Sequence, residues 1–340
     1  MLKKTIVVIL PLILCVTLFA IALGSIDEPI NETSEPTLKE GNNEDKKSIY
    51  NFLVMGKDQT SGLFDVIIVV SYDTEKQQIN ALQIPRDTYA SYTSSAYRKI
   101  NGAVYSLGGE EAFAEFLSST LGIKIDHYVT TDLDTIAKTI DKLGGIDVFV
   151  PEDMKYKDPY QDLTIDIKAG RQRLNGIEAT HFLRYRSGYV TGDLGRLDAQ
   201  KIFLAALVKK ILIESELSDM IGVAISILGD VKSDLTVADC VFFVSKISEL
   251  EIENIGFMTM PGGAICSQSG AWYYIINREA AYETVKKYFV QDLAEGEFDK
   301  NTLFTSVYRQ GFNEIYYAKN KYKTERFTAE QICEEGINID

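Results

Sequence analysis

Histidine and cysteine are scarce in this chain, and their scarcity excludes several kinds of site. Only His127 and His181 occur among 340 residues, so a zinc centre built on histidines is excluded. The cysteines have no metal-binding spacing, and three lie beyond the N-terminal apolar run, so these three cannot all pair with one another. No disulfide framework is therefore expected. The four cysteines are Cys15, Cys240, Cys266 and Cys333.

Several catalytic signatures and an excess of positive charge are also absent. The sequence contains no P-loop, no Gly-X-Ser-X-Gly elbow and no metalloprotease helix with paired histidines. Lysine and arginine number 35 against 49 acidic residues, which gives a net charge of −14. This acidic balance argues against a nucleic-acid partner.

A long apolar run opens the chain. Residues 5–25 carry no charged side chain, and about twenty apolar residues cross a bilayer as a helix at ~1.5 Å per residue. Lys3 and Lys4 precede the run and acidic residues follow it, so the positive-inside rule places residues 1–4 in the cytoplasm and the remainder outside. A cleaved signal peptide is the alternative. The length of the run and the poor cleavage site at 20–24 favour an uncleaved, single-pass membrane anchor.

The rest of the chain divides into three parts. Residues 26–47 are polar and acidic and are interpreted as a disordered stalk, residues 48–290 as the folded domain, and residues 291–340 as a tail that is ordered only in part. Short apolar runs predict strands at 50–55, 66–72, 79–84, 146–150, 163–167, 178–185, 255–260 and 272–276. Apolar residues at helical spacing predict helices at 109–121, 133–143, 194–214, 217–231, 237–250 and 278–289. Because strands and helices interleave, the fold class is α/β, with some antiparallel pairing at hairpins.

Arginines cluster where predicted strands end or a helix begins. Arg184 and Arg186 alternate at the end of the predicted strand 178–185, which would put both on one face. Arg196 lies at a predicted helix start, and Arg86 follows another strand. Because arginine binds phosphate oxygens in pairs, the cluster predicts a clamp for a doubly charged oxyanion. The alternative, for Arg86 or Arg196 alone, is a surface arginine paired with one of the many carboxylates.

Two aspartates flank the turn between the first two predicted strands. Asp58 follows the first strand and Asp65 precedes the second, so both are expected at one edge of the sheet. Paired carboxylates beside an arginine clamp suit Mg²⁺ that also binds phosphate oxygens. The alternative is that both are ordinary turn aspartates.

The spacing of these residues does not identify a function, but the order of the motifs along the sequence adds information. The chain reads NFLVMGKD, FDVIIVVSYD, IPRDTY, KINGAVYSLGG, IDHYV, LGGIDVFVPEDM, LNG and HFLRYRSGYVTGDLGRLDAQ, in that order. This series resembles the LytR-CpsA-Psr family over residues 50–210, with a weaker likeness as far as 289. The resemblance implies a central mixed β-sheet between layers of helices, an α/β/α-type fold, in a bacterial cell-wall setting. It also implies transfer of a glycopolymer, such as teichoic acid or capsule, from a polyprenyl-pyrophosphate carrier onto peptidoglycan, with release of polyprenyl phosphate.

The resemblance also assigns roles to individual positions. It implies that Asp58 and Asp65 hold Mg²⁺, with Asp65 a candidate for the base that deprotonates the acceptor hydroxyl. The implied catalytic residues are Asp65, Arg86, Arg184, Arg186 and Arg196. The implied pyrophosphate-binding residues are Arg86, Lys99, Arg184, Arg186, Arg196 and Gln200. A polyprenyl tail requires an apolar tunnel, for which Phe113, Phe116, Leu117, Ile136 and Ile140 are candidates, although each is also a candidate for ordinary core packing.

Two departures from the family pattern leave an alternative function open. Where the family often has an arginine just before the second aspartate, residues 62–64 are Gly-Leu-Phe, and Ala199 stands where an arginine often precedes the glutamine. A clamp weakened in this way fits a membrane-tethered binder of polyprenyl phosphates that regulates envelope assembly without turnover. A third option is pyrophosphatase activity on the lipid carrier.

Overall fold

The computed structural model describes residues 47–58, 61–90, 98–160, 162–214, 230–236, 239, 242–243, 246, 250–267, 270–305 and 325–337. The predicted anchor, 5–25, and all but the last residue of the predicted stalk, 26–47, lie outside these ranges. Within them, no helix combines the length and the apolar content that crossing a membrane requires.

Thirteen strands are present in the described part of the chain. They are β1 (Ile49–Lys57), β2 (Phe64–Asp73), β3 (Gln78–Gln83), β4 (His127–Asp132), β5 (Ile146–Val150), β6 (Met154–Asp158), β7 (Leu163–Ile167), β8 (Gly170–Leu174), β9 (Lys232–Ser233), β10 (Ile255–Thr259), β11 (Gly262–Cys266), β12 (Trp272–Ile276) and β13 (Phe327–Thr328). Seven form a central sheet in the order β13-β10-β3-β2-β1-β4-β9, and the others form three two-stranded sheets, β5-β8, β6-β7 and β11-β12. In the central sheet β1 runs parallel to β4 and β3 parallel to β10, whereas the other neighbours are antiparallel. The predicted mixed central sheet is confirmed.

Seven α-helices accompany these strands in the described ranges. They are α1 (Ala103–Leu107), α2 (Glu110–Leu121), α3 (Leu133–Lys142), α4 (Gly176–Arg184), α5 (Asp193–Glu214), α6 (Arg278–Tyr288) and α7 (Ala329–Glu335). The helices predicted at 109–121, 133–143, 194–214 and 278–289 correspond to α2, α3, α5 and α6 within one residue at each end. The helices predicted at 217–231 and 237–250 lie largely outside the described residues.

The strand predicted at 178–185 is wrong, because this segment is helix α4. A capping box decides the conformation: the Glu178 backbone N–H donates to Asn175 Oδ1, and the Asn175 N–H donates to Glu178 Oε2, both at 2.9 Å. Ala179, Phe182 and Leu183 then fall on the buried side of the helix. The alternation of apolar residues and arginines in HFLRYR is typical of a strand. The capping box at Asn175 lies upstream of it and begins a helix that continues through Arg184.

The two faces of the central sheet bury separate hydrophobic cores. Along β2, Ile68 and Val70 face one core, and Ile67 and Val69 face the other, as the two-residue period of a strand requires. Helices α3, α4, α5 and α7 cover the first face, and α2 and α6 cover the second. The predicted α/β/α layering is therefore present.

Two parts of the segment after residue 290 belong to these cores. Phe298 and Phe304 are buried on the face that α2 and α6 cover. Strand β13 pairs with β10 at the edge of the central sheet, and α7 packs its buried Ile332 on the opposite face. The described portions, 291–305 and 325–337, thus complete the domain.

Candidate active site

One edge of the central sheet gathers the ends of several strands. Because β1, β3, β4 and β10 all run the same way, their carboxyl ends meet at this edge, where the antiparallel β2 begins. Ligands of open α/β sheets bind outside the carboxyl ends of parallel strands. Asp58 follows β1, Asp65 is the second residue of β2, and Arg86 follows β3. The chain folding therefore delivers the predicted carboxylates and one arginine to the same edge.

A cavity of about 200 Å³ opens at this edge. Its lining is basic: five lysine and arginine side chains and three aspartates leave a net charge of +2, in a chain whose overall charge is −14. The charged lining residues are Lys57, Asp58, Asp65, Arg86, Asp132, Arg184, Arg186 and Arg196. A local positive potential on an acidic protein attracts an anionic ligand to this cavity.

Two arginines that line the cavity form a closed ring of ion pairs with two aspartates, of which only Asp65 lines the cavity. Asp65 Oδ2 lies 2.7 Å from Arg86 Nη1 and 3.3 Å from Arg196 Nη1. On the other side, Asp193 Oδ1 lies 3.1 Å from Arg86 Nη2 and 2.9 Å from Arg196 Nη2. The two positive and two negative charges balance. Each guanidinium lies between two carboxylates, and these contacts hold it in position in the ligand-free protein.

Both guanidinium groups in this ring keep an unused donor. Arg196 is only 4% exposed, and the Nε atoms of Arg86 and Arg196 are buried without a hydrogen-bond partner. Leaving a buried donor unsatisfied costs about 1–3 kcal/mol. Burial alone would lower the pKa of the Arg86 guanidinium, but the carboxylates of Asp193 and Asp65 outweigh it and raise that pKa above its ordinary value.

The two arginines of the HFLRYR motif reach the cavity from a helix end. Arg184 is the last residue of α4, Tyr185 is extended, and Arg186 is exposed; all three line the cavity. The prediction that the arginines share one face of a strand was wrong in conformation. The change from helix to extended chain at Tyr185 brings both to the cavity instead.

Lys99 is the one member of the predicted pyrophosphate set that does not line the cavity. Its Nζ lies 2.9 Å from Asp87 Oδ1 and 5.8 Å from the centre of the Tyr273 ring. The other predicted members, Arg86, Arg184, Arg186, Arg196 and Gln200, all line it. The structure therefore assembles five of the six, and the role of each in binding remains a prediction.

Several polar lining residues, among them Lys57, Asp132 and Tyr156, were not predicted from the sequence. Lys57 and Asp132 end the parallel neighbours β1 and β4 and are register partners. Asp132 also caps α3, because its Oδ1 accepts from the backbone N–H of Thr135 at 2.9 Å. An aspartate between a strand and a helix, three residues before a threonine, was the available signal. Tyr156 belongs to β6, which no apolar pattern indicated.

The two predicted metal ligands both line the cavity but already have partners. Asp58 Oδ2 accepts a hydrogen bond from Ser61 Oγ at 2.8 Å, and Asp65 binds the arginine ring only through Oδ2. No cluster of three or more histidine, cysteine, aspartate or glutamate residues in the described ranges forms a metal cage. Two carboxylates are fewer ligands than Mg²⁺ takes, so phosphate oxygens and water would complete its shell, and its binding here stays a prediction.

An apolar cavity of about 120 Å³ adjoins the basic one. The two cavities share the lining residues Gly56, Val66, Ile136, Leu183 and Gln200. Of the tunnel candidates, Ile136 and Ile140 line the apolar cavity, whereas Phe113 and Leu117 are packed in the core on the opposite face of the sheet and Phe116 packs against that core. The apolar cavity therefore lies directly beside the cluster of arginines.

Comparison with known proteins identifies the family. A model of the LytR_cpsA_psr family matches residues 21–289. The chain belongs to this family. TagV of Bacillus subtilis, named as a polyisoprenyl-teichoic acid–peptidoglycan teichoic acid transferase, is 32% identical over 251 residues, which cover 71% of this chain and 64% of TagV. TagU of Bacillus cereus carries the same functional name and is 26% identical over 275 residues, 78% of this chain and 88% of TagU.

The solved structures agree with this membership. The crystal structure of Bacillus subtilis TagV superposes with a TM-score of 0.60 at 28% identity and covers 73% of this chain and 100% of that one. The chain spans just under two thirds of the full TagV protein. The predicted family and the α/β fold are confirmed, and the named relatives are transferases, as the sequence led us to expect of this chain.

Proposed function

We propose that this protein transfers a glycopolymer from a polyprenyl-diphosphate carrier onto peptidoglycan and releases polyprenyl phosphate. The observation that carries the proposal is the basic cavity with its arginine ring, joined through shared lining residues to an apolar cavity. A lipid diphosphate has this same combination of a doubly charged head and an apolar tail. The relatives named above act on a polyisoprenyl-linked teichoic acid, which supports the same substrate class.

In this reaction the arginines bind and polarise the diphosphate. The acceptor hydroxyl oxygen forms a bond to the phosphorus that carries the sugar, while the bond from that phosphorus to the bridging oxygen breaks. The hydroxyl proton passes to a carboxylate, for which Asp65 and Asp58 are the candidates at the cavity. Arg86, Arg184, Arg186 and Arg196 stabilise the charge that develops on the departing phosphate.

Asp58 and Asp65 are the residues that would hold Mg²⁺. Bound there, the ion would supply further positive charge to neutralise the phosphate oxygens. Asp65 Oδ1 has no partner among the described residues, which leaves one carboxylate oxygen for this purpose while Oδ2 stays in the arginine ring.

A membrane tether suits a substrate that cannot leave the bilayer. We propose that residues 5–25 anchor the chain with its N-terminus in the cytoplasm and the domain on the outer side. Confinement near the outer leaflet raises the effective concentration of the site toward the carrier. A stalk of about 22 residues has a reach on the order of 25 Å if it behaves as a flexible coil.

A direct transfer assay tests the proposal. The full chain in detergent is incubated with a polyprenyl-diphosphate oligosaccharide, peptidoglycan and Mg²⁺, and polyprenyl phosphate and polymer-bearing peptidoglycan are measured. We expect both products, and both should require the acceptor. Absence of polyprenyl phosphate release from a protein that binds the lipid would instead support the non-catalytic binder. Release of phosphate without acceptor would indicate a pyrophosphatase.

The apolar cavity leads to a prediction about how affinity depends on the length of the lipid tail. Leu204 lines this cavity from α5, so Leu204→Trp should fill part of the recess. We expect affinity for a long-chain polyprenyl diphosphate to fall about tenfold, because losing the burial of two methylene groups costs roughly 1.6 kcal/mol. Affinity for isopentenyl diphosphate, whose short tail ends before the recess, should not change.

The matched control for that variant lies on the same helix. Ile213 is 54% exposed near the end of α5, so Ile213→Trp adds the same bulk outside the cavity. Isothermal titration of both lipids with both variants gives the comparison. Equal affinities of the long-chain lipid for Leu204→Trp and Ile213→Trp would show that the tail lies elsewhere.

A further inference from the structure

A chain of hydrogen bonds leads from the cavity wall into the protein. Gln83 Nε2 donates to Gln200 Oε1 at 3.3 Å, and Thr259 Oγ1 donates to Gln83 Oε1 at 3.4 Å. Lys201 Nζ donates to Thr259 Oγ1 at 3.1 Å. Gln83, Gln200 and Lys201 are each at most 4% exposed, whereas Thr259 is partly exposed. Of these four residues only Gln200, at one end of the hydrogen-bond series, lines the cavities.

Lys201 gives this chain of hydrogen bonds a direction. An ammonium group has three N–H donors and no acceptor, so Thr259 Oγ1 can only accept from it. Lys201 is held in place by Asp198 Oδ1 at 2.6 Å and lies 5.9 Å from the ring centre of Phe327, in the edge strand β13. The Thr259 hydroxyl in turn donates its single hydrogen to Gln83 Oε1.

The same reasoning fixes both glutamine amides. With its Oε1 taken by Thr259, Gln83 presents its amino end to Gln200 and donates to Gln200 Oε1. Gln200 then has its Nε2 amino group as the remaining end of its amide. The two ends of an amide have nearly the same shape, so packing alone would not choose between them. Lys201, the donor at the far end of the hydrogen-bond series, therefore determines which way the two amides are turned.

The fold explains how Lys201, which does not line the cavity, joins this series of hydrogen bonds. Gln83 and Thr259 are register partners at the ends of the parallel strands β3 and β10. Gln200 and Lys201 are consecutive in α5, and consecutive helical residues point about 100° apart. Gln200 therefore turns to the cavity while Lys201 turns to the end of β10. The C-terminal strand β13 pairs with β10 and closes over the lysine.

We propose that Lys201, Thr259 and Gln83 are positioning residues that hold the Gln200 amide with Nε2 toward the cavity, ready to donate to a phosphate oxygen of the ligand. The inference rests on the proposed function in one respect, that the ligand is a lipid diphosphate. An amide turned the other way would present Oε1, which repels a phosphate oxygen. None of the three positioning residues lines the cavity.

Two kinds of variant test this orientation in the full chain. Gln83→Glu replaces the donor by a second acceptor, so Gln200 must turn its amino group inward. We expect the affinity for geranylgeranyl diphosphate to fall roughly ten- to hundredfold, the range for losing a hydrogen bond to a charged group. Thr259→Val keeps the charge unchanged but removes the hydroxyl, and it should lower affinity severalfold, whereas Thr259→Ser should restore it. Binding of geranylgeraniol, which has no phosphate, should not respond.

A second background separates orientation from simple charge. In Gln200→Met the amide is absent, so Gln83→Glu and Thr259→Val should cause no further loss of geranylgeranyl diphosphate affinity. Continued loss in that background would show that the added charge or a packing change acts directly, and the proposal would be overturned. Thermal unfolding checks that each variant folds; if Gln83→Glu does not, the neutral Thr259 pair still decides the question.

The wild-type chain separates the two levels of the argument. If it does not bind geranylgeranyl diphosphate, the proposed function itself fails. If it binds, but Thr259→Val and Gln83→Glu bind equally well, only the positioning role fails.

Discussion

Replacing Arg196 by alanine should reduce affinity for a polyprenyl diphosphate by about a hundredfold or more. Arg196 is 4% exposed, belongs to the ion-pair ring, and has a buried Nε donor without a partner. Two lost hydrogen bonds to a charged ligand account for ~3 kcal/mol, which corresponds to this factor. Arg196→Lys keeps the charge but not the planar fork, so its affinity should be intermediate.

The same variant should also unfold more easily. Breaking a buried ion pair costs about 3–5 kcal/mol, but Asp65 and Asp193 are about a quarter exposed and keep Arg86 as a partner, so we expect roughly 2 kcal/mol. Denaturant titration measures this change, and calorimetric titration measures the affinity.

The control for Arg196 is an arginine outside the cavity. Arg173 forms an exposed pair with Asp147 at 2.7 Å, so Arg173→Ala should have little effect on stability and leave binding unchanged. If Arg196→Ala binds the diphosphate as tightly as Arg173→Ala does, the ring is structural and the ligand is bound elsewhere.

Four strands of the central sheet, β1, β2, β3 and β10, and four of the seven described helices could be predicted because their signals are local. Strands β4, β9 and β13 were not predicted. Strands β1, β2 and β3 appear as apolar runs ended by Gly56, Asp73 and Pro85, and their order brings Asp58, Asp65 and Arg86 to one edge. Helix α4 was predicted wrongly because two local signals conflict. The alternation around Arg184 favours a strand, while the capping box at Asn175 favours a helix, and burial of Phe182 agrees with the cap.

The contacts within the site could not be predicted, because they join distant positions. Asp65 and Arg196 are 131 residues apart, and nothing local indicates that one carboxylate serves two arginines. The hydrogen-bond chain from Lys201 depends on the register that places Gln83 beside Thr259, and each residue alone is unremarkable in sequence. The charged composition after residue 290 likewise hid the apolar positions that complete both cores.

Replacing Asp65 by asparagine should separate binding from turnover. Asp65 competes with the ligand for both arginines of the ring, which it contacts at 2.7 and 3.3 Å. Removing its charge leaves two guanidinium groups balanced by Asp193 alone. In the presence of EDTA we therefore expect affinity for a polyprenyl diphosphate to rise about fivefold, a gain limited by the partial exposure of the carboxylate.

Transfer by the same variant should fall by about a hundredfold or more. Asp65 is one of the two proposed Mg²⁺ ligands and one of the two candidates for the base, and general base catalysis alone contributes about 10²–10⁴. Added Mg²⁺ should strengthen diphosphate binding by the wild-type chain and have a smaller effect on Asp65→Asn. Asp147→Asn, which removes an exposed carboxylate outside the basic cavity, is the matched control and should leave binding and transfer unchanged.

The sign of the binding change identifies the dominant role of Asp65 in the ligand-free protein. Tighter binding in EDTA means that the carboxylate occupies the position of a phosphate group and is displaced by the ligand. Weaker binding means that its contacts with Arg86 and Arg196 are needed mainly to hold the guanidinium groups in place, and the competition described above is then wrong. Because Asp193 still holds Nη2 of both arginines in this variant, the first result is the one that the geometry of the ring predicts.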